Sequence, residues 1–186
     1  MLEVEVKIAI GSASEALDRL LELGAAIEHP REFEENILLD VGGGKLSSKG
    51  ALLRVRRYGA SGTLTYKEPA AGPAGFKVRR ELEAEIPDPE AILRILEASG
   101  FTRIWTYEKF RTVLGAGDVE ILLDETPIGN FLELEGRADA IAEFVGRLGK
   151  RPEDCITASY RELMERWCCE RGLPVADLLF ARGETR

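Results

Sequence analysis

Glu3, Glu5 and Lys7 stand at alternate positions in LEVEVKI, and Leu2, Val4, Val6 and Ile8 fill the other register. Side chains alternate across a β-strand, so one face of this segment is charged and the other apolar. A single strand of this kind reads as a sheet face in water. The same alternation returns along the chain. LRVR pairs Arg54 with Arg56, TYK pairs Thr65 with Lys67, and EKFR pairs Lys109 with Arg111. KVRRELEAE sets Lys77, Arg79, Glu81, Glu83 and Glu85 in one register, EILLD aligns Glu120, Leu122 and Asp124, and FLELE aligns Glu133 with Glu135. Like charges two apart on one face repel, and neighbouring strands or ligands must offset the cost. Carboxylates in pairs suit hard divalent cations such as Mg²⁺ or Mn²⁺. Arginine offers bidentate contacts to phosphate, and lysine offers a point charge. A sheet curled with this face inward would form a polar tunnel suited to a metal-bound polyphosphate.

The elements that must carry these residues are mostly strands. Residues 2–9, EFEENILLDV, ALLRVRRYG, TLTYKE, FKVRRELEAEI, TRIWTYEKFRTVL, DVEILLDE and FLELEG have strand composition and are separated by glycine or proline. SASEALDRLLELG, PEAILRILEASG, RADAIAEFVGRLG and SYRELMERWCCERG have helical periodicity, several with a capping serine or a closing glycine. Regular helix–strand alternation is missing, which points to one α+β domain over residues 1–186 with a mainly antiparallel sheet.

Composition narrows the function classes. The chain has 186 residues, 45% hydrophobic and 31% charged, enough for one well-packed domain. A net charge of −8 argues against non-specific binding to nucleic acid or to an anionic membrane. Acids at positions 3 and 5 break any signal-peptide pattern, and no apolar run nears the ~20 residues that span a bilayer. Cys155, Cys168 and Cys169 form neither a CxxC pair nor a Cys/His cluster. They read as buried free thiols of a reducing cytoplasm. His29, the single histidine, sits beside Pro30 in an expected loop, without partners for a catalytic triad. VGGGKLSSKG lacks the spacing of a phosphate-binding loop and reads as a plain connection. Trp105, Phe144, Trp167 and Phe180 read as packing residues.

Taken in order, EVEVK, LLRVRR, TYK, RRELE, EKFR, LDETPIGNFLELEG and ASYRELM resemble the CYTH family of triphosphate tunnel metalloenzymes over about residues 2–165. That family includes class IV adenylate cyclases, thiamine triphosphatases and inorganic tripolyphosphatases. The resemblance implies an α+β fold built on an eight-stranded antiparallel β-barrel, with helices packed outside an open tunnel. It implies phosphate contacts from Lys7, Arg54, Arg56, Lys67, Lys109 and Arg111. Arg79 matches a basic position that serves either phosphate or an internal ion pair. Metal ligation would fall on Glu3, Glu5, Glu133 and Glu135, with Asp124 added. Glu81, Glu83 and Asp124 are candidates for orienting the attacking nucleophile. The expected activity is metal-dependent hydrolysis of a triphosphate. Cyclisation of ATP is the alternative, which ASYRELM favours, and a non-catalytic polyphosphate sensor is a third. The expected partner is a triphosphate-bearing small molecule, and the expected state is a monomer or homodimer. Tyr160 reads either as a site residue or as an anchor for the last helix.

Overall fold

The computed structural model describes residues 1–181. Eight strands close into an antiparallel barrel. They are β1 (Leu2–Ile10), β2 (Ala26–Val41), β3 (Leu52–Tyr58), β4 (Ser61–Pro69), β5 (Lys77–Ile86), β6 (Phe101–Ala116), β7 (Val119–Thr126) and β8 (Gly129–Gly136). The order is β5-β4-β3-β2-β6-β7-β8-β1, and β1 pairs back onto β5. A two-residue strand, β9 (Cys155–Ile156), runs beside Lys7 and Ile8 of β1, beyond the stretch that β5 reaches. Among the described residues, four α-helices pack against the barrel: α1 (Ala13–Glu22), α2 (Pro89–Ala98) and α3 (Ala138–Arg147) along its outside, and α4 (Tyr160–Arg171) at one end.

Local chemistry starts and stops these helices. Ser12 accepts a bond from the Glu15 amide to open α1, and Asp88 accepts from Ala91 before Pro89 at the start of α2. Ser159 and Glu162 form a reciprocal capping box on α4, which Gly172 ends in the left-handed conformation.

The outward registers of the strands supply the apolar core. Val6, Ile8, Ile121, Leu123, Leu132 and Leu134 pack under Leu20 of α1 and Ile141 and Phe144 of α3. Ile37, Leu39, Val55 and Ile86 pack under Leu93 of α2. The third cluster is different. Leu38, Trp105, Tyr107 and Phe131 meet Tyr160, Met164 and Cys168 of α4. Leu38 pairs across the sheet with Arg54 and Trp105, and Phe131 pairs with Asp124, so these residues share the charged, inward register. α4 therefore packs on the interior face of the barrel wall and covers one end of the tunnel.

The C-terminal segment reinforces that end. β7 meets β6 only from Phe110 onward, which leaves an open edge on β6. Leu178 fills it, donating to the Thr106 carbonyl at 3.0 Å and accepting from the Glu108 amide at 2.8 Å. The Trp105 indole donates to the Ala176 carbonyl at 3.0 Å.

Two expectations are corrected. His29 is not in a loop: β2 starts at Ala26 and carries His29 within it. The pairing of β2 with β6 shifts register on both sides of His29, and a bulge accommodates the missing N–H of Pro30. The thiols are all free, but only Cys168 is buried; Cys169 is exposed and Cys155 half-buried. Adjacent residues on an amphipathic helix point in different directions, so Cys168 and Cys169 could not both face the core. Among the described residues, no helix is long and apolar enough to cross a membrane.

Candidate active site

The barrel encloses a cavity of about 1260 Å³ lined by the charged registers of its strands. Every candidate residue except Asp124 contributes to that lining, and Asp124 sits just behind it, fully buried against Arg111. The acidic side is built from β1 and β8, where Glu5 faces Glu135 across the pairing. Glu3, Glu5 and Glu135 each present an oxygen, and these lie within 4.8 Å of one another. Ammonium groups hold the first two: Lys67 donates to both Glu3 oxygens at 2.6 and 2.7 Å. Lys77 reaches Glu5 Oε1 at 2.6 Å, and Lys7 reaches the same atom at 3.0 Å.

The electrostatics of this trio are uneven. Burial alone would raise the Glu5 carboxyl, but Lys7 and Lys77 outweigh it and hold it at about 2. Burial, together with the charges of Glu3 and Glu133, pushes the Glu135 carboxyl up to about 8. Glu135 is therefore the carboxylate that most needs a nearby cation to stay ionised at neutral pH.

The basic side is organised by two buried carboxylates. Asp124 accepts from Arg111 Nε and Nη2, both at 2.6 Å, from Lys109 at 2.9 Å and from the Tyr160 hydroxyl at 2.6 Å. Four donors occupy its two oxygens, so Asp124 aims cations and does not join the acidic trio. Glu133 bridges Lys7, at 2.7 Å, and Arg111. It too stands among the cations. The Tyr160 ring lies 5.3 Å from both the Lys7 and Lys109 nitrogens, so its ring face and its hydroxyl both serve this cluster. Tyr160→Phe is expected to lower the unfolding free energy by about 2 kcal/mol, the scale of a hydrogen bond to a charged group. Urea unfolding checks this, and an unchanged midpoint would mean that the hydroxyl contributes nothing at Asp124.

Arg54 and Arg56 project from β3. Arg54 contacts the Tyr107 hydroxyl at 3.4 Å and Thr65 Oγ1 at 3.2 Å, with Glu83 at 3.7 Å. Arg56 donates to Asn36 at 3.1 Å and lies 3.5 Å from Glu34. Among the described residues, the buried donors Arg54 Nε, Asn36 Nδ2 and Thr63 Oγ1 have no hydrogen-bond partner. Unmet donors beside two arginines suit an anionic guest. Glu81 stands 3.2 Å from Lys67, and Glu83 accepts from the Thr65 hydroxyl at 2.5 Å. Arg79 donates to the Gly50 carbonyl at 2.5 Å and so ties β5 to the 42–50 loop.

Four participants were absent from the candidate set: Glu34, Asn36, Tyr107 and Lys77. Each continues a visible alternation. Glu34 and Asn36 follow Glu32 at steps of two, Tyr107 precedes Lys109 and Arg111, and Lys77 precedes Arg79. Burial would raise the Glu34 carboxyl, but Arg56, Lys109, Arg111 and Arg54 outweigh it and hold it at about 2. A depressed carboxylate adds stability that is complete above its ordinary value of 4.5 and lost as pH falls toward 2. Melting temperature is expected to fall less steeply in Glu34→Gln than in wild type from about pH 6 to about pH 3. Identical profiles would mean that Glu34 is not electrostatically paired.

The chain belongs to the CYTH domain family, whose model matches residues 1–148. A Methanocaldococcus jannaschii protein, provisionally named an adenylate cyclase, is 29% identical over 144 residues, 77% of this chain and 81% of its own length. Among solved structures, a Vibrio parahaemolyticus protein, also provisionally named an adenylate cyclase, superposes with a TM-score of 0.78 at 18% identity. It covers 89% of this chain and 98% of its own. A Hippeastrum protein, provisionally named an adenylyl cyclase and described as having a dominant triphosphatase activity, superposes with a TM-score of 0.63 at 17% identity. It covers 93% of this chain and 96% of its own.

Proposed function

We propose that this protein is a divalent-metal-dependent enzyme that binds a triphosphate chain in its tunnel and hydrolyses the terminal phosphate. One observation carries the reading: a single cavity sets three carboxylates within 4.8 Å of one another and also lines itself with Lys7, Arg54, Arg56, Lys109 and Arg111. A pure anion binder has no use for the carboxylates, and a pure metal buffer has no use for the arginines.

The residues fit a divalent cation. Glu3, Glu5 and Glu135 offer hard oxygen donors at a mutual spacing that one ion can span, and among the described residues Glu135 has no cation strong enough to keep it ionised at neutral pH. Mg²⁺ or Mn²⁺ bound there would act as a Lewis acid on phosphate oxygens and offset charge gathering in the transition state. Lys7, Lys109 and Arg111, held in place by Glu133 and Asp124, grip one part of the phosphate chain. Arg54 and Arg56 grip another, Lys67 lies between them and the carboxylates, and Arg79 extends the basic wall. Glu81 and Glu83, which line the cavity beside Lys67 and Thr65, would orient an attacking water. These groups stand ready in a closed barrel, so little reorganisation accompanies reaction. Three free thiols fit a reducing, cytoplasmic setting.

The relative's name supports ATP cyclisation as the second reading. There the ribose hydroxyl attacks the α-phosphate and pyrophosphate leaves. The purified protein should be given tripolyphosphate, thiamine triphosphate and ATP in turn with Mg²⁺ and with Mn²⁺. Orthophosphate release is the expected result. Cyclic AMP and pyrophosphate from ATP would favour the cyclase, and binding with no product would leave a sensor.

A further inference from the structure

We infer that Lys77 is an exchangeable counter-ion: its ammonium holds Glu5 while the carboxylate trio is metal-free, and it moves onto the triphosphate when a divalent cation takes its place. The inference rests on the metal reading above.

Lys77 and Glu5 face each other as a cross-strand pair between β5 and β1. The Lys77 nitrogen lies 2.6 Å from Oε1 of Glu5, a carboxylate of the trio. A cation bound to that carboxylate and an ammonium at that distance compete for the same negative charge. The other lysines around the trio are held more firmly. Lys7 is shared between Glu5 and Glu133, at 3.0 and 2.7 Å, and is almost fully buried. Lys67 binds both oxygens of Glu3 and also reaches Glu81. Lys77 has Glu5 as its one ion-pair partner among the described residues, and its side chain keeps 20% of its surface exposed. Releasing it breaks a single ion pair, and it is the freest of the three to move. Its side chain already lines the phosphate cavity, with Arg79 two positions along the same strand. A lysine stem has four rotatable bonds, enough to carry the charge from carboxylate to phosphate while the backbone stays in the barrel.

The exchange makes metal and triphosphate binding mutually supportive. Metal arrival frees a cation for the phosphates, and phosphate capture of Lys77 clears Glu5 for the metal.

Mn²⁺ titration by calorimetry, at one fixed pH and without substrate, tests this on wild type, Lys77→Met and Lys77→Gln. Lys45→Met, at an exposed lysine of the 42–50 loop, controls for net charge. Thermal melts confirm that each variant is folded, and Lys77→Gln keeps a hydrogen-bond donor for Glu5 where the methionine does not. Both Lys77 variants are expected to bind Mn²⁺ about tenfold more tightly than wild type, within the usual range of coupling between ligands. The control should match wild type. Tripolyphosphate binding is then measured in chelator and in saturating Mn²⁺. The Lys77 variants should resemble wild type in chelator, where the lysine is tied to Glu5, and bind about tenfold more weakly in Mn²⁺. Wild-type Mn²⁺ affinity in both variants, or equal loss of tripolyphosphate affinity in the two conditions, would overturn the exchange and leave the metal reading intact. A wild-type protein that takes up no Mn²⁺ would remove both.

Discussion

Glu5→Gln is expected to lower turnover of the preferred triphosphate by at least roughly 100-fold, the upper end of what losing even an outer partner of a metal site costs. The substitution keeps the size and polarity of the side chain and removes one hard anionic donor from the trio with Glu3 and Glu135. It also leaves Lys77 and Lys7 without the carboxylate they share. The barrel itself should survive. The register holding Glu5 is backed by Val4 and Val6 on the other face, and Val6 lies in the apolar core under α1 and α3. Melting temperature and turnover measured on the same preparation separate the two effects. A fall in turnover with an intact melt, and a smaller stabilisation by Mn²⁺ than in wild type, places Glu5 at the metal. Wild-type turnover would return Glu3 and Glu5 to the role of ordinary strand charges.

Arg54→Ala and Arg56→Ala are expected to weaken tripolyphosphate binding by about 2–5 kcal/mol each, the range for truncating one partner of a buried charge pair. The two should differ in their side effects. Arg54 is held by neutral hydroxyls of Tyr107 and Thr65, so its loss leaves few buried charges unpaired. Arg56 lies against Glu34, whose remaining ion pair among the described residues would be the longer one to Lys109 at 3.7 Å. Arg56→Ala should therefore lose more folding stability than Arg54→Ala. Calorimetric titration with tripolyphosphate and denaturant unfolding check both parts. Wild-type affinity in both variants would mean that these guanidinium groups do not meet the substrate.

Much of this architecture is visible in the sequence because a strand repeats every two residues. Where one face is charged and the other apolar, as at Glu3-Val4-Glu5-Val6-Lys7, the pattern alone assigns an inside and an outside. β2 shows where that logic stops. Ile37, Leu38 and Leu39 are consecutive and apolar, and all three are buried. Ile37 and Leu39 lie under α2, while Leu38 faces inward under α4. Because both faces are covered there, alternation vanishes, and the inward path through Glu34 and Asn36 is hidden with it. The tasks of the carboxylates are equally illegible. Asp124 and Glu135 both occupy the inward register, yet one is saturated by Arg111, Lys109 and Tyr160 while the other faces two more acids. Only the neighbouring strands decide which carboxylate aims cations and which joins the acidic trio. The capping role of α4 was hidden for a related reason. Tyr160 sits at the start of an expected surface helix, and its contact with Asp124 spans 36 residues of sequence.

Wild-type turnover with and without divalent cation tests the central claim most directly. The protein is freed of metal with EDTA and assayed on tripolyphosphate, then assayed again after Mg²⁺ or Mn²⁺ is restored in excess over the chelator. The expected result is no phosphate release in chelator and full recovery with either ion. Undiminished turnover in excess EDTA would contradict a metal-centred reaction at Glu3, Glu5 and Glu135.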